Sequence, residues 1–141
     1  MNAKDFLLQI KKLDKLIENK LAEVARWREI ANNTSVNMSS ERVQSSGNHD
    51  MVANAICAYL DLEREIDQNI DELVNTKKDI ISVIEQLHAI EYDILHKIYV
   101  QDLTLQDVAS LYDMSYNWAT TTHGRALKNV QNILDKRSNI K

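Results

Sequence analysis

The stretch LTLQDVASLYDMSYNWATTTHGRALKNV, residues 103–130, decides the fold, because it has the pattern of a helix, a tight turn and a second helix. The first helix is predicted to start at Thr104, whose hydroxyl can cap free amides while Asp107, three residues on, completes a capping box. Val108, Ala109, Leu111 and Tyr112 supply an apolar face at helical spacing, with Ala109 small where two helices cross. Asp113, Met114 and Ser115 form the turn: Asp113 tolerates a left-handed backbone, Met114 plugs the corner, and Ser115 caps the helix that starts at Tyr116. On that second helix Ala119, Thr122 and Leu127 are expected to face the first. Tyr116, Asn117, Thr120 and Thr121 are left outward, with Trp118 and His123 on the flanks.

A helix pair of this kind places its second helix in the major groove of double-stranded DNA. The candidate DNA-binding residues are therefore Ser115, Tyr116, Asn117, Trp118, Thr120, Thr121, His123, Arg125 and Lys128. Asn can bond adenine bidentately and Thr can bond a base edge or touch the thymine methyl, while Tyr116, Arg125 and Lys128 suit phosphates. Lys136 and Arg137 add charge further along. The pattern alone equally admits a helical bundle without a ligand.

Leu103-Thr104-Leu105, Val108-Ala109, Met114-Ser115 and Arg125-Ala126-Leu127 align without gaps to the helix-turn-helix of region 4 of bacterial sigma factors, whose pattern is roughly LTLEEIAEELGIS followed by a basic helix and RAL. The resemblance spans about residues 87 to 135. A long two-helix preface ahead of such a domain resembles the ArpU/RinA-like late-gene transcriptional regulators of Gram-positive phages and prophages. These resemblances imply a DNA-binding regulator, with RNA polymerase as a further partner. The chain departs from the sigma pattern at Asp113, which replaces the turn glycine, and at Thr122, where a larger aliphatic residue is usual. Tyr116, Trp118 and Thr120 stand where basic residues are common.

Two glycines, no proline, and 44% hydrophobic against 6% aromatic residues in 141 argue for long helices, an all-α fold. The formal charge of −4 is unevenly distributed. Residues 51–96 carry 3 basic and 10 acidic side chains, whereas residues 97–141 carry 6 and 4. The acidic excess thus lies away from the proposed DNA face, but that face brings little positive charge.

From about Ala3 to Ala31, Phe6, Ile10, Leu13, Ile17, Leu21, Val24 and Trp27 recur three or four apart, predicting one long amphipathic helix with a charged, solvated face. Residues 32–50 lose the period and gain Ser, Asn and Gly, predicting a flexible loop, or a short ordered contact at Arg42, Val43 and Gln44. Val52, Ile56, Tyr59, Glu63, Ile66, Ile70, Leu73, Lys77, Ile80, Ile84 and Leu87 alternate spacings of four and three, predicting a second long helix over residues 51–87. The two helices should fold back as a coiled-coil-like antiparallel hairpin. Leu60, Leu62, Val74 and Ile81 form a second stripe that a two-helix hairpin cannot bury, so homodimerisation or packing on the C-terminal domain is expected. Residues 88–100 read as a shorter helix with Ile90, Ile94 or Leu95, and Ile98 inward. The expected domains are residues 1–87, a dimerising hairpin with a loop at 32–50, and residues 88–141, a three-helix DNA-binding unit.

No cofactor or metal is expected, and no enzymatic activity: there is no glycine-rich phosphate loop and no nucleophile with a base at recognisable spacing. The acidic run from Asp61 to Glu72 is spread round its helix, and His88 and His96 are eight residues apart, wrong for a helical metal pair. Cys57 reads as a small core residue. With no signal peptide and no apolar run of membrane-spanning length, the expected location is cytoplasmic. Two further functions remain open: a protein-interaction module that binds polymerase or another phage protein without DNA, and a small terminase-like packaging subunit.

Overall fold

A computed structural model of the chain describes residues 1–40 and 46–140, with side chains over 1–33 and 50–139. Among the described residues every regular element is helical, so the fold is all-α: α1 (Ala3–Ser40), α2 (Ser46–Ile84), α3 (Ala89–Leu95) continued by a π-helical turn (His96–Val100), α4 (Leu105–Leu111) and α5 (Tyr116–Ile140). None of these helices is long and apolar enough to cross a membrane.

The predicted loop at 32–50 is helical in the structure up to Ser40 and again from Ser46. Ser and Asn lower helix stability by only a few tenths of a kcal/mol each, and no proline interrupts the segment. Arg42, Val43 and Gln44 lie outside the described residues.

Packing divides the chain at different points from the expected boundary at residue 87. One unit consists of residues 1–12 and 73–141, the other of residues 13–72. The reason is visible in the first unit's core. Ala3, Phe6, Leu7 and Ile10 of α1 belong to one buried cluster with Ile80, Val83 and Ile84 of α2, Ile94 and Leu95 of α3, and Val108, Ala119, Ala126 and Val130 of α4 and α5. Polar contacts fasten the same elements. Asn2 caps α1 by accepting from the Asp5 amide at 2.8 Å, and the Ala3 amide donates to Gln131 Oε1 at 2.8 Å. Asn129 donates to the buried Glu91 carboxylate at 2.8 Å, joining α5 to α3, and Arg137 pairs with Asp79 at 3.0 Å.

The π-helical turn explains an ambiguity of the sequence. Both Ile94 and Leu95 are buried, as are Ile98 and Tyr99 one turn later, whereas Ile90, expected inward, is exposed. The widened turn closes with the Gln101 amide on the His96 carbonyl at 3.0 Å and the Leu103 amide on the Lys97 carbonyl at 2.9 Å, with Asp102 left-handed at φ 64°.

In the second unit, Lys20 reaches Asn69 and Glu65, while Arg28 pairs with Glu63 and lies over the Tyr59 ring. Later residues of α1 thus meet earlier residues of α2, so the two run antiparallel there. Val24, Ala31, Ala55 and Ile66 are buried, but Leu21 and Ile70, both predicted inward, are exposed, as is Cys57.

Truncating Leu7, which has no accessible surface, tests whether the start of α1 belongs to the core. Leu7→Ala should cost about 2–5 kcal/mol of folding stability in urea denaturation; a loss within about 0.5 kcal/mol, typical of surface positions, would contradict this packing.

Candidate nucleic-acid interface

Helix α4 begins as its sequence dictates. Thr104 Oγ1 accepts from the Asp107 amide at 3.1 Å and the Asp107 carboxylate accepts from the Thr104 amide at 3.0 Å, a reciprocal cap that also holds the Asp107 carboxyl below its usual range. The helix ends in a left-handed residue, Asp113 at φ 56°. The Met114 amide bonds the Ala109 carbonyl at 2.9 Å and the Asp113 amide the Ser110 carbonyl at 3.1 Å, the pairing of a Schellman stop. Ser115 Oγ then accepts from the Trp118 amide at 3.1 Å, capping α5.

With both ends of the turn fixed, α5 packs on α3 and α4 and buries Ala119, Thr122 and Ala126. Leu111 and Met114 depart from expectation. Leu111 is 64% exposed and Met114 is exposed rather than plugging the corner, while the half-buried Tyr112 and Trp118 pack on each other across the turn, their ring centroids 5.2 Å apart. The Tyr112 hydroxyl donates to Asp93, which also pairs with Lys97 at 2.8 Å. Partial burial and the neighbouring Asp93 carboxylate push the Tyr112 hydroxyl up to about 12. Burial alone would raise the Asp93 carboxyl, but hydrogen bonds from Lys97 and Tyr112 outweigh it and hold that group below its usual value.

The nine candidate residues separate into two groups. Asn117, Thr121, Arg125 and Lys128 recur at spacings of four, four and three, are all exposed, and share the face of α5 opposite the buried Ala119–Ala126 stripe. Tyr116 and Ser115 are exposed at the helix start. The others are engaged within the unit. Trp118 packs on Tyr112, the Thr120 hydroxyl donates to the Asn117 carbonyl at 2.9 Å, and His123 Nε2 lies 2.8 Å from the Tyr99 hydroxyl with the two rings stacked. Burial, assisted by the positive charge of Lys4, holds the His123 imidazole below its ordinary pKa.

The outward face includes a residue that sequence reasoning passed over. Gly124 lies between Thr121 and Lys128, and a Cβ built there would meet nothing within 4 Å. Among the described residues no packing requires a glycine, which costs about 1 kcal/mol relative to alanine in a helix. Its position in the i+4, i+7 register was the available signal. Among the described residues no group of three or more His, Cys, Asp or Glu side chains is gathered to hold a metal.

Compared with protein-family models, with curated proteins and with solved structures, the chain matches none.

His123 yields a pH dependence with a defined sign. Its imidazole takes up a proton in the unfolded chain near 6.5 and in the folded chain only below that. The stability it contributes is therefore complete above this range and lost as pH falls through the depressed folded value. Asp93 contributes in the same direction, but only below the ordinary carboxyl value of 3.8. Chemical denaturation just below pH 6.5 should show falling stability, and His123→Gln should flatten that limb; an unchanged slope in the variant would remove His123 as its source.

Proposed function

We propose that α5 lies in the major groove of duplex DNA and that the protein is a DNA-binding transcriptional regulator, phage or prophage encoded, with a helix-turn-helix formed by α4 and α5. The observation that carries this is the unobstructed face of Asn117, Thr121, Arg125 and Lys128, interrupted only by Gly124. An amide, a hydroxyl and two cations in that register can reach base edges and phosphates together, and the missing side chain at Gly124 lets the helix approach closely. In support stands the resemblance of residues 87–135 to sigma region 4.

A long antiparallel hairpin of α1 and α2 that pairs two copies completes the reading. In the unit of residues 13–72, Leu21 lies two turns from Arg28, and Leu60 and Ile70 lie on the helical register of Glu63. Because Arg28 and Glu63 are joined, these three exposed apolar residues flank one side of the helix pair. A second copy would double the small positive footprint.

A second reading has its own observation. Leu111, Met114 and Tyr116 leave exposed apolar surface around the turn between α4 and α5. Such a patch suits a protein partner, RNA polymerase or another phage protein, bound without DNA.

Gel shifts at low salt separate these readings. Asn117→Ala should relax sequence discrimination, Arg125→Ala should weaken all duplexes, and Gly124→Ala should weaken binding while raising helix stability by about 1 kcal/mol. Full binding in all three variants would eliminate the groove assignment, and capture of polymerase with no duplex shift would favour the interaction module.

Sedimentation equilibrium should give twice the 16.3 kDa chain mass, reduced toward one chain by Leu60→Glu. A monomeric wild type would remove the dimer; a ring-sized mass would favour a terminase-like subunit.

A further inference from the structure

The unit carrying α4 and α5 contains 11 basic and 9 acidic side chains, yet residues 73–141 alone balance at 8 of each. Its whole positive excess comes from Lys4, Lys11 and Lys12, set against Asp5 at the start of α1. Lys4 and Lys11 stand seven residues apart on one helical face. Both line a cavity of about 510 Å³ with Tyr99, Asp102, Thr104 and His123.

We infer that this cleft binds a phosphate group, and that the phosphate is one of the duplex backbone flanking α5, so that the first turns of α1 form a second wall of the DNA interface. The inference rests on the DNA-binding reading for the source of the phosphate, but not for its chemistry.

Two ammonium groups on flexible stems act as point charges for a phosphate. The Tyr99 hydroxyl and His123 imidazole, 2.8 Å apart, offer a polar floor beside them. Lys11 is presently held by Asp102, 3.2 Å away, and sits 5.9 Å from the Tyr99 ring centroid. Asp102 is strongly exposed, so its ion pair with Lys11 is a weak one that a phosphate can displace. The cleft also lies on the proper flank. His123 lies one turn beyond Thr120 and two beyond exposed Tyr116 on α5, on the side of the helix that runs from that exposed start down to the buried Val130. A helix in the major groove meets base edges with its outward face and phosphates along its flanks. The site thus supplies the charge that α5 itself lacks.

The test is duplex binding by the full chain, followed by fluorescence anisotropy across a salt series. Lys4→Gln and Lys11→Gln should each reduce the slope of log affinity against log salt by about 0.9. Asp102→Asn, which keeps a residue tolerant of the left-handed backbone, should tighten binding severalfold by releasing Lys11. Thermal melts matched to wild type would confirm that these surface variants fold. If both lysine variants keep the wild-type slope while Arg125→Ala weakens binding, the inference fails and the DNA reading stands. If wild type binds no duplex, the DNA reading fails, and inorganic phosphate is titrated while the His123 ring protons are followed by NMR. Phosphate-dependent shifts that Lys11→Gln abolishes would then assign the cleft to free phosphate, and no shifts would overturn it.

Discussion

Phe6, Leu7 and Ile10, three side chains from the first turns of the chain, are buried in the same cluster as residues about 70 to 125 positions later. The C-terminal helices need them. Helices α3 and α4 have seven residues each, and each is followed by a turn with a left-handed aspartate, Asp102 before α4 and Asp113 before α5. Helices this short are not stable alone and rely on tertiary burial. Each large apolar side chain taken fully out of water contributes about 1.5–3 kcal/mol, so three of them from α1 are a substantial part of what holds α3, α4 and α5 in register. The orientation of the α5 outward face therefore depends on residues a hundred positions away.

What could be read from the sequence was local. The Thr104–Asp107 cap, the left-handed Asp113, the Ser115 cap and the inward Ala119 and Thr122 each depend on residues within one or two turns, and all are found. What could not be read was non-local or a matter of degree. The amphipathic period of residues 3–31 is equally satisfied whether Phe6 and Leu7 face α2 alone or a wider core. Leu21 and Ile70 sit on the predicted stripe, yet two helices can cover only part of each other, and these residues fall at its margin. The extra residue of the π-helical turn at His96–Val100 leaves no mark in apolar spacing, since Ile94, Leu95, Ile98 and Tyr99 satisfy an α-helical pattern as well. The candidate site was similarly divided. Asn117, Thr121, Arg125 and Lys128 follow from period alone, but the engagement of His123 depends on Tyr99, which no spacing connects to it.

Residues of one helix are thus partitioned by competition. Trp118, Thr120 and His123 have the chemistry to contact a ligand, but their polar or aromatic groups are already satisfied by Tyr112, a backbone carbonyl and Tyr99. Breaking the His123 bond would leave the buried Tyr99 hydroxyl unpaired, at about 1–3 kcal/mol for a buried polar group. Among the described residues the side chains of the exposed four have no such attachment. Exchanging water for another partner would cost those four little, whereas His123 has a bond to Tyr99 that any contact must leave in place.

Local costs are also concentrated in this part of the chain. Asp102 and Asp113 hold left-handed backbones, Gly124 weakens a helix whose packing does not need it, and His123 is kept neutral by burial near Lys4. Departures from local preference that bring no packing gain tend to mark positions held for another purpose. The two aspartates are accounted for structurally, since each lies in the hydrogen-bonded turn that ends a short helix. Gly124 has no such account. An alanine would fit in open space among the described residues and strengthen α5, so the glycine is a cost to the helix that internal packing does not repay.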